Sequence, residues 1–323
     1  MTALVGHDAQ AGTLLAAARG DRMHHGWILA GPRGIGKATF ARAAALRLLA
    51  EAAGNPLEGQ GLSVPQDNPT RSLIAADAHP DYAELFCLEK ESGTARNISV
   101  DQVRGLHRLI QSAPTFSSRR VVVIDSADDL ERGAANALLK TLEEPPPGML
   151  FLLVSHAPGR LLPTIRSRCR TLRFDPLDDD AVRTVLRAQD PPVDQQEIEA
   201  LVRAGEGSPG KALRYAGLDF AEIERTLASI AAEGDPGNRQ RLILAKTLSA
   251  KAARPRYEAF LERVPSFIAD MARRRSGADL GKAIDHWEAA RQLASGAIIL
   301  SLEPGSVAFE LSGHVAALAA RHG

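Results

Sequence analysis

Cysteine is nearly absent: Cys87 and Cys169 are the only two in 323 residues. Two thiols cannot build a zinc site by themselves, and they do not form a disulfide framework. Aromatic residues make up 4 % of the chain, too few for the stacking platforms that hold single-stranded nucleic acid. Neither charge is in excess, since Lys plus Arg and Asp plus Glu stand at 39 each. Contact with nucleic acid must therefore come from a local patch or from partner chains, and no global field draws the chain to a membrane. No run reaches the roughly 18 uninterrupted apolar residues of a membrane span. The opening stretch, MTALVGHDAQAGTLLAAARGD, carries acidic residues where a signal peptide needs a basic region and an apolar core. A cytoplasmic protein with no membrane partner is the expectation.

What is present is ordinary for a globular protein, 45 % hydrophobic and 24 % charged, and the length suggests two or three domains. One stretch stands out. GPRGIGKAT, Gly31 to Thr39, follows the apolar Trp27-Ile28-Leu29-Ala30 and opens into an alanine-rich helical run, Phe40 to Ala50. Strand, glycine-rich turn and helix form the context of a phosphate-binding P-loop. Gly31, Gly34 and Gly36 let backbone N–H groups turn inward, and the helix N-terminus adds partial positive charge. Lys37 stands where the P-loop lysine reaches the β- and γ-phosphates. The next position, where a hydroxyl should hold Mg²⁺, is Ala38. Thr39 comes one residue late, which rotates it by about 100° on a helix.

Around this motif the pattern alternates. A helix is expected at Ala9–Arg19, and His24-His25 reads as polar groups at a strand entrance rather than a metal pair. Residues 51–80, rich in Gly, Pro, Asn and Ser, read as a long loop. HPDYAELFCLE, 79–89, reads as a strand with Cys87 as a small core residue. A helix over 98–112 carries a capping box, Ser99 with Gln102. Buried strands are expected at 119–125 and 149–154 and a last short strand at 171–174, with a helix at 134–142 and a helical turn around 161–168 between them. This is a doubly wound α/β domain with a parallel sheet, ending near residue 175. Beyond it the pattern is helical: 178–188 and 194–204, parted by Asp190-Pro191-Pro192, then a turn and helix over 205–216. Two apolar stripes follow, Tyr257 to Met271 and Ile284 to Ala294, both read as packed core. Arg273-Arg274-Arg275 reads as a solvated helix end.

The chemistry is incomplete. VVVID ends at Asp125, which fits a Walker B aspartate. The residue after it, where an ATPase needs a carboxylate to position water, is Ser126, and a serine hydroxyl cannot replace that base. Asp128 and Asp129 read as caps of the following turn or as solvent-facing groups. Ser167-Arg168-Cys169, after LLPTIR, places an arginine at the end of a helical turn, flanked by Arg166 and Arg170.

Together GPRGIGKAT, HPDY, VVVIDSADDL, NALLKTLEEPP, the strand to Ser155 with HAP, and IRSRCRTLRF resemble the AAA+ clamp-loader ATPases of DNA replication, through residues 5–215. The resemblance implies a RecA-like AAA+ domain at 1–175, a helical lid at 176–217 and a collar at 218–323. It implies a pentameric ring with other clamp-loader subunits that loads a sliding clamp on primed DNA. The nucleotide site maps onto Gly31, Gly34, Gly36, Lys37, Ala38, Thr39 and Asp125, the sensor 1 residue onto Ser155, and an arginine finger acting in trans onto Arg168. The sensor 2 arginine falls at Gly210, beside Lys211. Zinc is not expected, because the family's four-cysteine module belongs in 51–80 and no cysteine lies there. With the hydroxyl, the carboxylate and the sensor 2 arginine all missing, the expected role is a stator that donates Arg168. ATP or ADP binding without hydrolysis stays open. The alternative is an active P-loop ATPase.

Overall fold

The computed structural model describes residues 4–20, 23–54, 57, 59, 61–88, 97–111, 113–116, 118–189 and 194–319. Contacts divide the chain into two compact units, Met1–Ala181 and Val182–Gly323. No helix among the described residues is long and apolar enough to cross a membrane.

The first unit is a five-stranded sheet, β1 (Gly26–Ala30), β2 (Tyr82–Phe86), β3 (Arg120–Asp125), β4 (Met149–Ser155) and β5 (Arg170–Arg173). All the pairings are parallel, in the order β2-β3-β4-β1-β5. Continuous β-branched and aliphatic runs suit such a sheet because both faces are covered. The alternation of side chains divides each strand between two cores. Trp27, Leu29, Val121, Val123, Leu152 and Val154 face α1 (Asp8–Arg19) and α2 (Lys37–Ala52). Ile28, Val122, Ile124, Phe151 and Leu153 face the other layer, with α6 (Arg132–Glu143). α7 (Pro163–Arg166) precedes β5.

Several expectations for this unit need correction. The 51–80 segment is not only loop: α3 (Pro69–Ala75) forms there, with Asn68 capping the N–H of Thr70 and Pro69 at the first turn. Proline is pre-set for that position. Its flank is held by Arg47, which is buried on α2 and donates to the carbonyls of Leu57, Gly59 and Ser63 and to Glu51. The 98–112 helix is two, α4 (Val100–Gly105) and α5 (His107–Gln111). The capping box is present, but the chain breaks at Leu106 after Gly105, a residue that lowers helix stability. β2 begins only at Tyr82, because His79-Pro80-Asp81 is a turn. There the buried Asp81 accepts from the N–H groups of Thr115 and Phe116, both at 2.8 Å. Cys87 therefore lies just past β2 rather than within it, half-buried. Burial first and then the Asp129 carboxylate push its thiol up to about 11.

The second unit is helical. α8 (Asp179–Ala188) crosses the division and leads to α9 (Gln195–Gly205), α10 (Pro209–Tyr215), α11 (Phe220–Glu233), α12 (Arg239–Leu248), α13 (Arg254–Ala272), α14 (Gly277–Ala297) and α15 (Pro304–Ala316). The Asp190-Pro191-Pro192 break lies outside the described residues. Glu197 of α9 accepts from the N–H groups of Phe220 and Ala221, both at 2.7 Å, and so caps α11, where a carboxylate also meets the helix dipole. The first stripe is core at Tyr257, Phe260, Leu261, Val264 and Ile268. The second is not core as a whole: α14 buries Ala283, Ala290 and Ala297, while Ile284 is exposed. Alanines seven apart share one helix face and let a neighbouring helix approach closely. Of the arginine triplet, Arg273 and Arg274 are exposed as expected, Arg273 beside Asp270 at 2.5 Å, while Arg275 is half-buried and donates to the Leu318 carbonyl.

Candidate nucleotide site and the Arg168 edge

Strand order creates the candidate site. β3, β4 and β1 are adjacent and parallel, so their C-terminal ends place Asp125, Ser155 and Gly31 side by side at one sheet edge. The N–H of Gly31 donates to the carbonyl of Ser155 at 3.2 Å. In parallel sheets this edge is where ligands bind.

The loop backbone has the turn a phosphate cradle needs. Gly34 and Gly36 sit at φ 79° and 97°, where a side chain is strained. At Gly31 a Cβ would stand 2.2 Å from the carbonyl oxygen of Phe174, so only glycine fits. His7 holds the loop from outside, its Nε2 2.7 Å from the Ile35 carbonyl. α2 starts at Lys37, three residues earlier than the apolar run suggests.

The side chains tell a different story. Lys37 is 2 % exposed, and its ammonium donates to the loop's own carbonyls, Gly31 at 2.7 Å and Pro32 at 2.5 Å. Burial pushes its pKa down to about 8, against the pull of Asp128 and Asp125. Asp125 accepts from Arg42 Nη2 at 3.1 Å, and the same guanidinium pairs with Glu84 at 2.6 Å. Ser155 is fully buried and donates to Asp128 Oδ1 at 2.9 Å. Ser126 donates to Asp129 at 3.0 Å and stands 3.4 Å from Asp128. Asp128 also accepts from the N–H groups of His156 at 2.5 Å and Ala157 at 3.2 Å. It thus ties β4's exit to the turn after β3.

The fit to a metal nucleotide is therefore divided. The backbone turn and the start of α2 suit phosphate oxygens. The groups for a metal do not: Ala38 has no hydroxyl, and the Asp125 carboxylate already faces Arg42. The residue next to Asp125 is Ser126, whose hydroxyl is no base and donates to Asp129. Thr39 is half-buried on α2. The corner owes its order to Arg42 and Asp128. Sequence reading passed over Arg42 and took Asp128 for a turn cap or a solvent-facing group. The SADDL stretch after the strand is the signal for Asp128, but its partners lie near residue 155. Nothing in the α2 sequence marks Arg42.

Arg168 follows α7. Its Nη2 lies 2.9 Å from Glu143, and its Nη1 donates to the Thr164 carbonyl at 3.0 Å. The two charged side chains remain 35 % and 49 % exposed, a class of pair worth about 0–1 kcal/mol. Cys169 next to it packs inward: a Cβ on Gly26 would stand 2.7 Å from its sulfur, and burial pushes its thiol up to about 12. In the second unit, Lys211, beside Gly210, pairs with Glu206 at 3.1 Å.

A family model described as DNA polymerase III, delta subunit matches residues 6–178. The chain belongs to that family. Among curated relatives of the delta-subunit family, DNA polymerase III subunit delta' of Pseudomonas aeruginosa is 39 % identical over 202 residues, covering 61 % of this chain and 57 % of that protein. The Escherichia coli subunit delta' is 32 % identical over 223 residues, covering 69 % and 64 %. The chain thus matches less than two thirds of the length of these relatives. A solved DNA polymerase III gamma subunit-related protein from Thermotoga maritima aligns over 95 % of this chain and 99 % of its own, with 17 % identity and a TM-score of 0.46.

Proposed function

We propose that the chain is the delta' subunit of a clamp loader, a stator that does not hydrolyse ATP itself and supplies Arg168 to the ATP site of a neighbouring subunit during loading of the sliding clamp on primed DNA. The observation that carries this reading is the contrast at the sheet edge. Lys37, Asp125 and Ser155 are each bound by another group of the same chain, with no hydroxyl at Ala38 and no carboxylate at Ser126. Arg168 has one charged partner, the exposed Glu143, beside its bonds to the Thr164 carbonyl and the Ser167 hydroxyl, and a neighbour's phosphate can displace that carboxylate at little cost. The collar and lid segments are assigned to ring assembly on the same reading. Nucleotide at the P-loop, if bound, is held by the backbone and Lys37 without turnover.

The test mixes the chain with the loader's motor subunits, clamp and primed DNA. Arg168→Ala is expected to lower turnover at the one ATP site it serves by roughly 10³-fold, the low end for arginine fingers, so that DNA-stimulated turnover of the complex falls by that site's share. Unchanged turnover sinks the finger assignment. A second reading, an active P-loop ATPase, draws support from Lys37 lying within the field of both Asp125 and Asp128. Steady turnover by the purified chain alone, lost in Lys37→Met, would establish it and remove the stator reading.

A further inference from the structure

The P-loop corner treats an anion and a divalent cation unequally. For phosphate it has both shape and charge. Gly34 and Gly36 stand at positive φ, Gly31 approaches the Phe174 carbonyl too closely for a side chain, and α2 begins at Lys37 with no side chain capping its N-terminus. The first N–H groups of a helix have no partner within it, and with the helix dipole they favour an anion. Two cations, Lys37 and Arg33, belong to the same loop. Burial first, then Lys37 and Arg33, hold His156 at the exit of β4 below the ordinary histidine value, ahead of the opposing pull of Asp128 and Asp125. The potential felt there is positive although two aspartates stand nearby.

For a divalent cation the balance is reversed. Ala38 offers no oxygen. Asp125 is answered by Arg42 Nη2 at 3.1 Å, and this guanidinium does not depend on Asp125 for its place. Glu84 of β2 accepts from its Nε at 2.7 Å and lies 2.6 Å from its Nη2, while the Tyr82 hydroxyl donates to the other Glu84 oxygen at 2.9 Å. The second acid of the corner, Asp128, is engaged by the Ser155 hydroxyl and the N–H groups of His156 and Ala157. A metal drawn to Asp125 would share that carboxylate with a guanidinium that Glu84 keeps beside it. Like charges so close repel strongly in a partly buried site.

We infer that the loop takes the diphosphate group of a nucleotide as the free anion, with no divalent cation, Arg42 standing at Asp125 where a metal would otherwise be held. The inference rests on the reading that the P-loop still binds phosphate, and it fixes the form of the ligand: ADP itself rather than its magnesium complex. Lys37 exchanges the carbonyls of Gly31 and Pro32 for an anion, a stronger partner for an ammonium. Magnesium then weakens binding, because it withdraws the free anion from solution.

The test is calorimetric titration of the full chain with ADP, once in EDTA and once in excess magnesium. Binding should be at least about tenfold tighter in EDTA, and ADP in EDTA should raise the Tm. Inorganic pyrophosphate should displace the ADP, since the loop reads the diphosphate and not the nucleoside. AMP should bind at least about tenfold more weakly than ADP, because it lacks the phosphate that the P-loop lysine reaches. Ala38→Ser restores the hydroxyl and leaves Arg42 in place, so binding should stay tighter in EDTA. Ala38→Ser combined with Arg42→Gln should reverse the preference to magnesium ADP, with the Tm of the double variant read alongside; if that variant does not fold, the wild-type comparison and Ala38→Ser decide. Equal or tighter wild-type binding with magnesium, no binding in EDTA, failure of pyrophosphate to compete, or AMP binding as tightly as ADP overturns the inference. So does a magnesium preference gained by Ala38→Ser alone, which would show that Arg42 is no barrier. Each of these outcomes leaves the stator reading standing, since that reading falls only to turnover by the purified chain or to an Arg168→Ala complex of unchanged turnover.

Discussion

The P-loop corner and the Arg168 edge belong to one sheet and are built on opposite terms. At the corner Lys37, Asp125, Ser126 and Ser155 each have a partner within the chain, and most of them are buried. At the edge Arg168 rests on an exposed carboxylate. A group committed to its own fold gives stability and little reactivity. A group held by a weak exposed pair can change partners for less than about 1 kcal/mol. The same sheet therefore carries a glycine-rich turn with committed side chains at one place and an exposed, weakly paired arginine at another.

The largest test of this contrast is Asp128→Ala. It strands the Ser155 hydroxyl and the N–H groups of His156 and Ala157, and should cost about 3 kcal/mol, read as a lower urea midpoint at unchanged slope. A loss under about 1 kcal/mol would show that the corner is not a structural network.

Lys37→Met is the next. Its folded pKa of about 8 lies below the ordinary 10.5, so the unfolded chain holds more protons between those values. Wild-type stability must then rise with pH across that window, and the burial penalty is complete below pH 8. The shift corresponds to about 3 kcal/mol, and the two carbonyl bonds lost return about 2 of it. Lys37→Met should therefore gain about 1 kcal/mol at pH 7, with the gain shrinking between pH 8 and 10.5. A destabilised variant at pH 7 would mean that the carbonyl bonds outweigh the burial. The smallest effect belongs to Arg168→Ala, whose stability should stay within about 0.5 kcal/mol of wild type by denaturant melts. A larger loss would make Arg168 a structural residue like Asp128 and erase the contrast.

Much of the fold was legible because its signals are local. The run Val121 to Ile124 is apolar at every position, and the strand there is buried on both faces. Ser99 and Gln102 sit three apart, and the capping box forms. Where reading failed, non-local contacts decided. Residues 51–80 looked like loop because the side chain that organises part of them, Arg47, lies on the preceding helix. Ile284 looked like core because its spacing is helical, but the neighbouring face of α14 is lined by alanines and buries instead. Spacing identifies a helix face and not which of two faces meets a neighbour.

By itself the sequence determined the turn of Gly31–Lys37, the parallel strands and the groups missing at Ala38 and Ser126, because each depends on residues near one another in the chain. Only the tertiary structure decided what the remaining groups do. Arg42 meets Asp125 across 83 positions and Ser155 meets Asp128 across 27. No local pattern encodes such pairs, since they exist only once β3, β4 and β1 lie side by side and bring their ends to one edge.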